Sequence, residues 1–320
     1  MVLWRLGIGV GCLLAVNACR PSSVTDNGVV GVFGELGLAA GSLSYPRGIA
    51  VEAVVIREQN RPREHKSAAR SRVFVVDKSG RIQRFSADGK YETGWRMPEI
   101  EQGKPIGMAV HADGRLFVAD THYHRVVIFD RDGRQLGSFG SEGTGDGQFQ
   151  LPTDVAFDAE GFIYVSEYHL NDRITKWSPD LQFVQAFGQE PIDGARLSRP
   201  CGLVVDDENT LWVADACNHR LVRFSTDGGV LAAFGEAGTG AGQMRYPYDI
   251  ALAPAGELIV CEYEGARLQW FSRDGRSQRI WGRPGRAVGE LFAPWGVACD
   301  PAGIVYVVDS LNNRVQMLRP

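Results

Sequence analysis

Apolar positions along residues 199–243 (RPCGLVVDDENTLWVADACNHRLVRFSTDGGVLAAFGEAGTGAGQ) fall into four short runs, at 202–205, 211–214, 220–224 and 230–234. Turn-forming clusters separate the runs at 206–209, 215–218 and 226–229. Short runs of this length with tight turns between them predict four strands in an antiparallel meander. The same text recurs along the chain. A Pro opens the first strand at Pro46, Pro105, Pro152, Pro200, Pro247 and Pro294, with spacings of 59, 47, 48, 47 and 47 residues. An acidic residue closes the second strand at Asp77, Asp120, Glu167, Asp215, Glu262 and Asp309. An Arg opens the third at Arg81, Arg125, Arg173, Arg220, Arg267 and Arg314. A near-constant period with four strands per copy predicts an all-β, six-bladed β-propeller over residues 28–320.

The sixth unit stops after its third strand, and the missing fourth lies at the other end of the chain. Val29-Val30-Gly31-Val32-Phe33-Gly34 matches the outer strands of complete units, so residues 28–34 are expected to pair with the last blade and close the ring. Closure removes an open sheet edge. The first unit carries an insertion at 57–72, REQNRPREHKSAARSR, with six Lys/Arg and no apolar periodicity. It reads as a solvated loop, or alternatively as a contact for anions or a membrane surface. The Gly-rich strings at 143–147 and 238–242 are followed by the opening of the next unit rather than by a helix. They are therefore inter-blade loops and not phosphate loops.

The N-terminus has a different pattern. Arg5 is followed by an apolar run from Leu6 to Val16, too short to span a bilayer but suited to a signal peptide over residues 1–18. Val16-Asn17-Ala18-Cys19 resembles a bacterial lipobox, which implies lipidation at Cys19 and a short tether through residue 27. Plain cleavage near Ala18 is the alternative. The expectation is an exported chain in a bacterial cell envelope, lipid-anchored on the periplasmic or cell-surface side, and monomeric.

Composition adds little beyond ordinary globular character, with 44% hydrophobic and 22% charged residues. Loss of residues 1–18 would remove only Arg5 and leave a net charge of −5, which gives no electrostatic footprint for nucleic acid. In an oxidising compartment Cys201 and Cys217, at one edge of the fourth meander, are placed to form a disulfide. The closed loop of about 15 residues would contribute roughly 3 kcal/mol. Two free thiols are the alternative. Cys261 and Cys299 read as buried apolar residues within strands.

The elements Pro-x-Gly/Asp, ϕ-x-Val-Ala-Asp, Asn-x-Arg-ϕ and Phe-Gly, clearest at Asn218-His219-Arg220-Leu221 and Asn313-Arg314-Val315, resemble the NHL repeat. The resemblance implies a six-bladed propeller and leaves activity open, because the family includes binding scaffolds, sensor domains, RNA-binding domains and the peptidyl-hydroxyglycine amidating lyase. The third unit looks like a lyase repeat, and a Cys201–Cys217 link resembles a lyase disulfide shifted by two residues. The resemblance implies a zinc held by His at the channel, but the residues two after each anchor Pro are Gly48, Gly107, Asp154, Gly202, Asp249 and Gly296. The zinc site is not carried over.

The departures from Gly, Asp154 and Asp249, fall in the two units whose second strand ends in Glu, at Glu167 and Glu262. Four carboxylates near one channel mouth suit Ca²⁺, a cationic ligand or acid–base work, and otherwise serve as acceptors for loop backbone and the paired Arg. Asp154 and Asp249 are the candidate metal ligands, for Ca or Zn in the central channel. His122, His124, His169 and His219, with Tyr123, Tyr168 and Tyr263, are expected on the same face, where His with carboxylates could take zinc or copper. The residues one after each Pro are expected to rim the channel, and among them Arg47, Tyr248 and Trp295 suit ligand contact. The reading is a binding scaffold for an envelope protein, a peptide or a small molecule. The rival is a metal-dependent lyase or lactonase-like enzyme at the channel mouth.

Overall fold

The computed structural model describes residues 27–54 and 70–320. The signal segment, Cys19 and insertion residues 57–69 lie outside the described residues. Six four-stranded antiparallel sheets surround a channel. The fourth blade shows the plan, with strands Pro200–Val205, Thr210–Asp215, Arg220–Ser225 and Val230–Phe234 running from the channel outward. The sixth blade combines Val297–Cys299, Val305–Asp309 and Arg314–Leu318 with Val29–Phe33 from the N-terminal side. Val29 pairs with Leu318 and Phe33 with Val315, which closes the ring in the expected way.

The apolar core is divided among the seams between blades. Between the second and third blades, Phe117, Phe139, Phe149, Val165 and Trp177 interlock. Between the fourth and fifth, Trp212, Leu221, Met244, Val260 and Phe271 do the same. Alternate residues of each strand face opposite seams, so the strands read as nearly continuous apolar runs. Trp212 and Trp270 are among the large side chains buried in these seams.

A repeated polar clasp fixes the top of each blade, the end where the anchor Pro lies. In the fifth blade Glu262 accepts Arg267 Nε (2.7 Å) and the backbone N–H of Arg245, two residues before the anchor Pro (2.9 Å). Arg267 in turn donates to the loop carbonyls of Thr239, Gly240 and Gln243. The same pattern holds for Asp77, Glu167, Asp215 and Asp309 with their arginines. The second blade differs. Asp120 accepts Arg125 Nε at 2.9 Å, but its Oδ1 is buried without a partner, and burial pushes its carboxyl up to about 6. The loop entering this blade is three residues shorter than the Gly-rich loops and brings no N–H to that oxygen.

Candidate functional site

The first strands approach one another at the axis, and four positions two after the anchor Pro are glycine for that reason. A Cβ on Gly202 would lie 2.6 Å from Asp249 Oδ1, and one on Gly296 would lie 2.7 Å from the carbonyl oxygen of Arg47. Only a residue without a side chain allows this approach. Register shifts follow the anchor in the first, third, fourth and fifth blades, for example between Pro152 and Asp154 and between Pro247 and Asp249. Such bulges re-aim side chains. Here residues 47, 154, 201, 248, 249 and 295 all line one channel cavity of about 220 Å³.

Asp154 and Asp249 sit in this cavity between glycines. Asp154 Oδ2 accepts the Leu203 N–H of the next blade (2.9 Å). Asp249 accepts Val297 N–H of the next blade on Oδ2 and Ile250 N–H on Oδ1, both at 2.8 Å. Each carboxyl therefore ties two blades together while remaining in the channel wall. Among the described residues neither has an ion-pair partner. Burial raises both well above the ordinary carboxylate range, Asp249 to about 7, and for Asp154 the charge of Asp249 adds to the effect.

Above the carboxyls lies an aromatic mouth. Tyr248 and Tyr263 stack with centroids 4.6 Å apart, and Trp295 stands edge-on to both at 5.0 and 5.4 Å. Two guanidiniums rest on these rings. Arg47 lies 4.9 Å from Trp295 and 5.6 Å from Tyr45, and Arg199 lies 5.1 Å from both Tyr168 and Tyr248. They come from the first and fourth blades, which oppose each other in a ring of six. Among the described residues neither has a carboxylate within ion-pair distance, and the Nε of each is buried without a hydrogen-bond partner. Burial is the main cause that lowers Arg47 from the ordinary guanidinium range, and the like charge of Arg199 adds to it. Two unpaired, partly buried cations on an aromatic bed are costly unless an anion joins them.

Arg199 precedes its anchor Pro and has φ 55, as Tyr45 (51), Tyr246 (52) and Ala293 (49) do in other blades. This left-handed turn is held from the preceding blade. Arg199 N–H donates to Asp172 Oδ1 (2.9 Å), Tyr246 N–H to His219 Nδ1 (3.1 Å) and Tyr45 N–H to Asn313 Oδ1 (2.8 Å). His219 is thus a latch between blades, whereas His122 accepts Lys104 N–H within the second blade. The cavity brings together Arg47, Asp154, Tyr248, Asp249 and Trp295 but leaves out Glu167, Glu262 and the four histidines. Glu167 and Glu262 have no exposed surface and are engaged in clasps. Among the described residues no three His, Cys, Asp or Glu side chains converge as a metal site would require.

The expected Cys201–Cys217 disulfide is not formed, and both are free thiols. Cys201 is buried against Ala216 and Tyr248 in the mouth, whereas Cys217 is exposed on the turn Ala216–Asn218, where its N–H bonds to the Ser198 carbonyl. Backbone pairing therefore sets Cys217 opposite Ser198 and not opposite Cys201.

Fold and mouth together define a six-bladed propeller with a small ligand-sized channel. Two of its segments, residues 103–129 and 197–224, match the family model of the NHL repeat. The chain is 35% identical over 113 residues to protein brain tumor of Drosophila melanogaster, covering 35% of this chain and 10% of that protein. It is 33% identical over 92 residues to rat peptidylglycine alpha-amidating monooxygenase, covering 27% and 9%. These matches thus span about a tenth of each relative's own length. In structure it resembles a gluconolactonase from Xanthomonas campestris, with a TM-score of 0.63 at 16% identity, over 94% of this chain and 96% of that one. At that identity the likeness is one of fold.

Proposed function

We propose that this propeller is a binding module for a small anionic ligand, a carboxylate or phosphate carrying an apolar face, taken up at the channel mouth. The observation that supports it best is the pair Arg47 and Arg199. Both lie on aromatic rings, have a buried Nε without a partner and lack any counter-ion among the described residues. A planar guanidinium recognises carboxylate and phosphate by paired N–H donors, and the charge of Arg199 acts on Arg47, so that one anion would relieve both. The rings of Tyr45, Tyr168, Tyr248 and Trp295 supply the apolar wall that fixes orientation. Thermal-shift and calorimetric titrations with small aromatic and aliphatic carboxylates and with inorganic phosphate test this. Saturable stabilisation that disappears in Arg47→Ala and Arg199→Ala is the expected result. Stabilisation unchanged in both variants would rule the mouth out.

A metal-dependent lyase or lactonase is supported by the Asp154–Asp249 pair and by fold likeness to a gluconolactonase. Two carboxyls that no third His, Cys, Asp or Glu joins among the described residues favour the binding role. Titration before and after chelation separates the two readings, since only the enzyme loses its ligand response with its metal. Residues 1–19 further support export and lipid anchoring at Cys19 in the cell envelope. Radiolabelled fatty-acid incorporation that is lost in Cys19→Ser checks that proposal.

A further inference from the structure

We infer that the mouth is built for a small zwitterion, its anionic end held between Arg47 and Arg199 and an ammonium end seated between Asp154 and Asp249. This inference rests on the anion-binding reading above and adds the cationic half of the ligand.

Charged groups of both signs line the channel. Arg47 is one residue after its anchor Pro, and Asp154 and Asp249 are each two after theirs. Arg47 and both acids line the same cavity, and Arg199 rests on Tyr248 of that cavity's wall, so one ligand meets groups of both signs. Each carboxyl is bonded to backbone N–H groups and has no cationic side chain in ion-pair distance among the described residues. Their titratable neighbours are thiols, Cys201 beside Asp154 and Cys261 beside Asp249, and burial pushes both thiols up, so neither bears charge at neutral pH. Glycines at 107, 202 and 296 leave both acids open to the cavity.

Two acids that line one cavity, feel each other's charge and have no counter-ion among the described residues are relieved by a cation placed between them. The cavity of about 220 Å³ is smaller than the roughly 300–1,000 Å³ of drug-sized sites, which limits the ligand to amino-acid dimensions.

Calorimetric titration of the purified full chain with free amino acids, glycine betaine, the matched deamino carboxylates and the matched decarboxylated amines tests the inference. At least one zwitterion should bind about tenfold tighter than its matched carboxylate. Asp154→Asn/Asp249→Asn should cut that advantage to about twofold while leaving carboxylate affinity in place. Should the double variant not fold, the unmodified protein gives a second readout. Near pH 7 the zwitterion should release protons on binding, seen as a heat that varies with the buffer's ionisation enthalpy, and the carboxylate should release none. Equal affinity for carboxylate and zwitterion, or a zwitterion preference that survives in the Asn variants, would overturn the inference and leave anion binding standing. If carboxylates and zwitterions both fail to bind, the anion-binding reading falls, and this inference with it.

Discussion

Replacing Asp249 by Asn should make the propeller more stable at pH 8 and less stable at pH 4. In the folded chain burial raises Asp249 to about 7, from an ordinary value of 3.8. A carboxyl raised in this way binds more protons in the folded than in the unfolded state between those values. Stability therefore falls as pH rises through the window, and the full penalty is present above it. For Asp249 alone the penalty is at most on the order of 4 kcal/mol. Asn carries no charge and so avoids it, but it offers one oxygen to the two N–H groups of Ile250 and Val297 that Asp249 serves. The lost bond costs about 1–3 kcal/mol at every pH. The balance favours the variant by about 1–2 kcal/mol at pH 8 and the parent by about 1–3 kcal/mol at pH 4. Urea denaturation followed by Trp fluorescence at pH 4.5, 6, 7.5 and 8.5 measures the difference directly. Stability curves that cross are expected. A difference independent of pH would show that Asp249 ionises as an ordinary surface carboxylate and would refute the reasoning.

Other perturbations test the frame that holds the mouth. Arg267→Ala leaves Glu262 buried without its cation and should cost about 3–5 kcal/mol in denaturant midpoint analysis. His219→Ala removes the acceptor for Tyr246 N–H and should cost about 1–3 kcal/mol, while His219→Asn should recover most of it because Asn313 does the same work in the sixth blade. Gly202→Ala drives a methyl group into Asp249 and should lower the melting temperature and weaken ligand binding together, both read in one thermal-shift series. Maleimide labelling followed by peptide mass spectrometry should modify Cys217 in the native protein and Cys201 and Cys261 only after unfolding.

Much of this architecture was legible because a propeller repeats its chemistry. The anchor Pro, the closing acid and the opening Arg recur at near-constant spacing. The acid and the Arg return at the same strand ends, while the Pro lies at the start of its strand in four blades and three residues before it in the second and sixth. Arg47, Tyr248 and Trp295 follow from the same register, as do the exceptions Asp154 and Asp249. The signal that failed was local. A residue before Pro is ordinarily extended, so nothing marked Arg199 or Tyr45 as left-handed residues turned over the mouth. Their conformation depends on acceptors in the preceding blade, Asp172 and Asn313, more than 25 residues away in one case and across the ring closure in the other. Glu167 and Glu262 stood out by type, but their surroundings make them clasp residues like the aspartates elsewhere. The Cys201–Cys217 pairing followed from sheet topology alone and missed the pairing that sets Cys217 against Ser198.

The most direct test of the central claim is a crystal of the propeller soaked with a small aromatic carboxylate. The carboxylate should lie between the guanidiniums of Arg47 and Arg199, with its ring against Tyr248 or Trp295. An unoccupied mouth, with the ligand bound only on the outer faces of the blades, would contradict the claim.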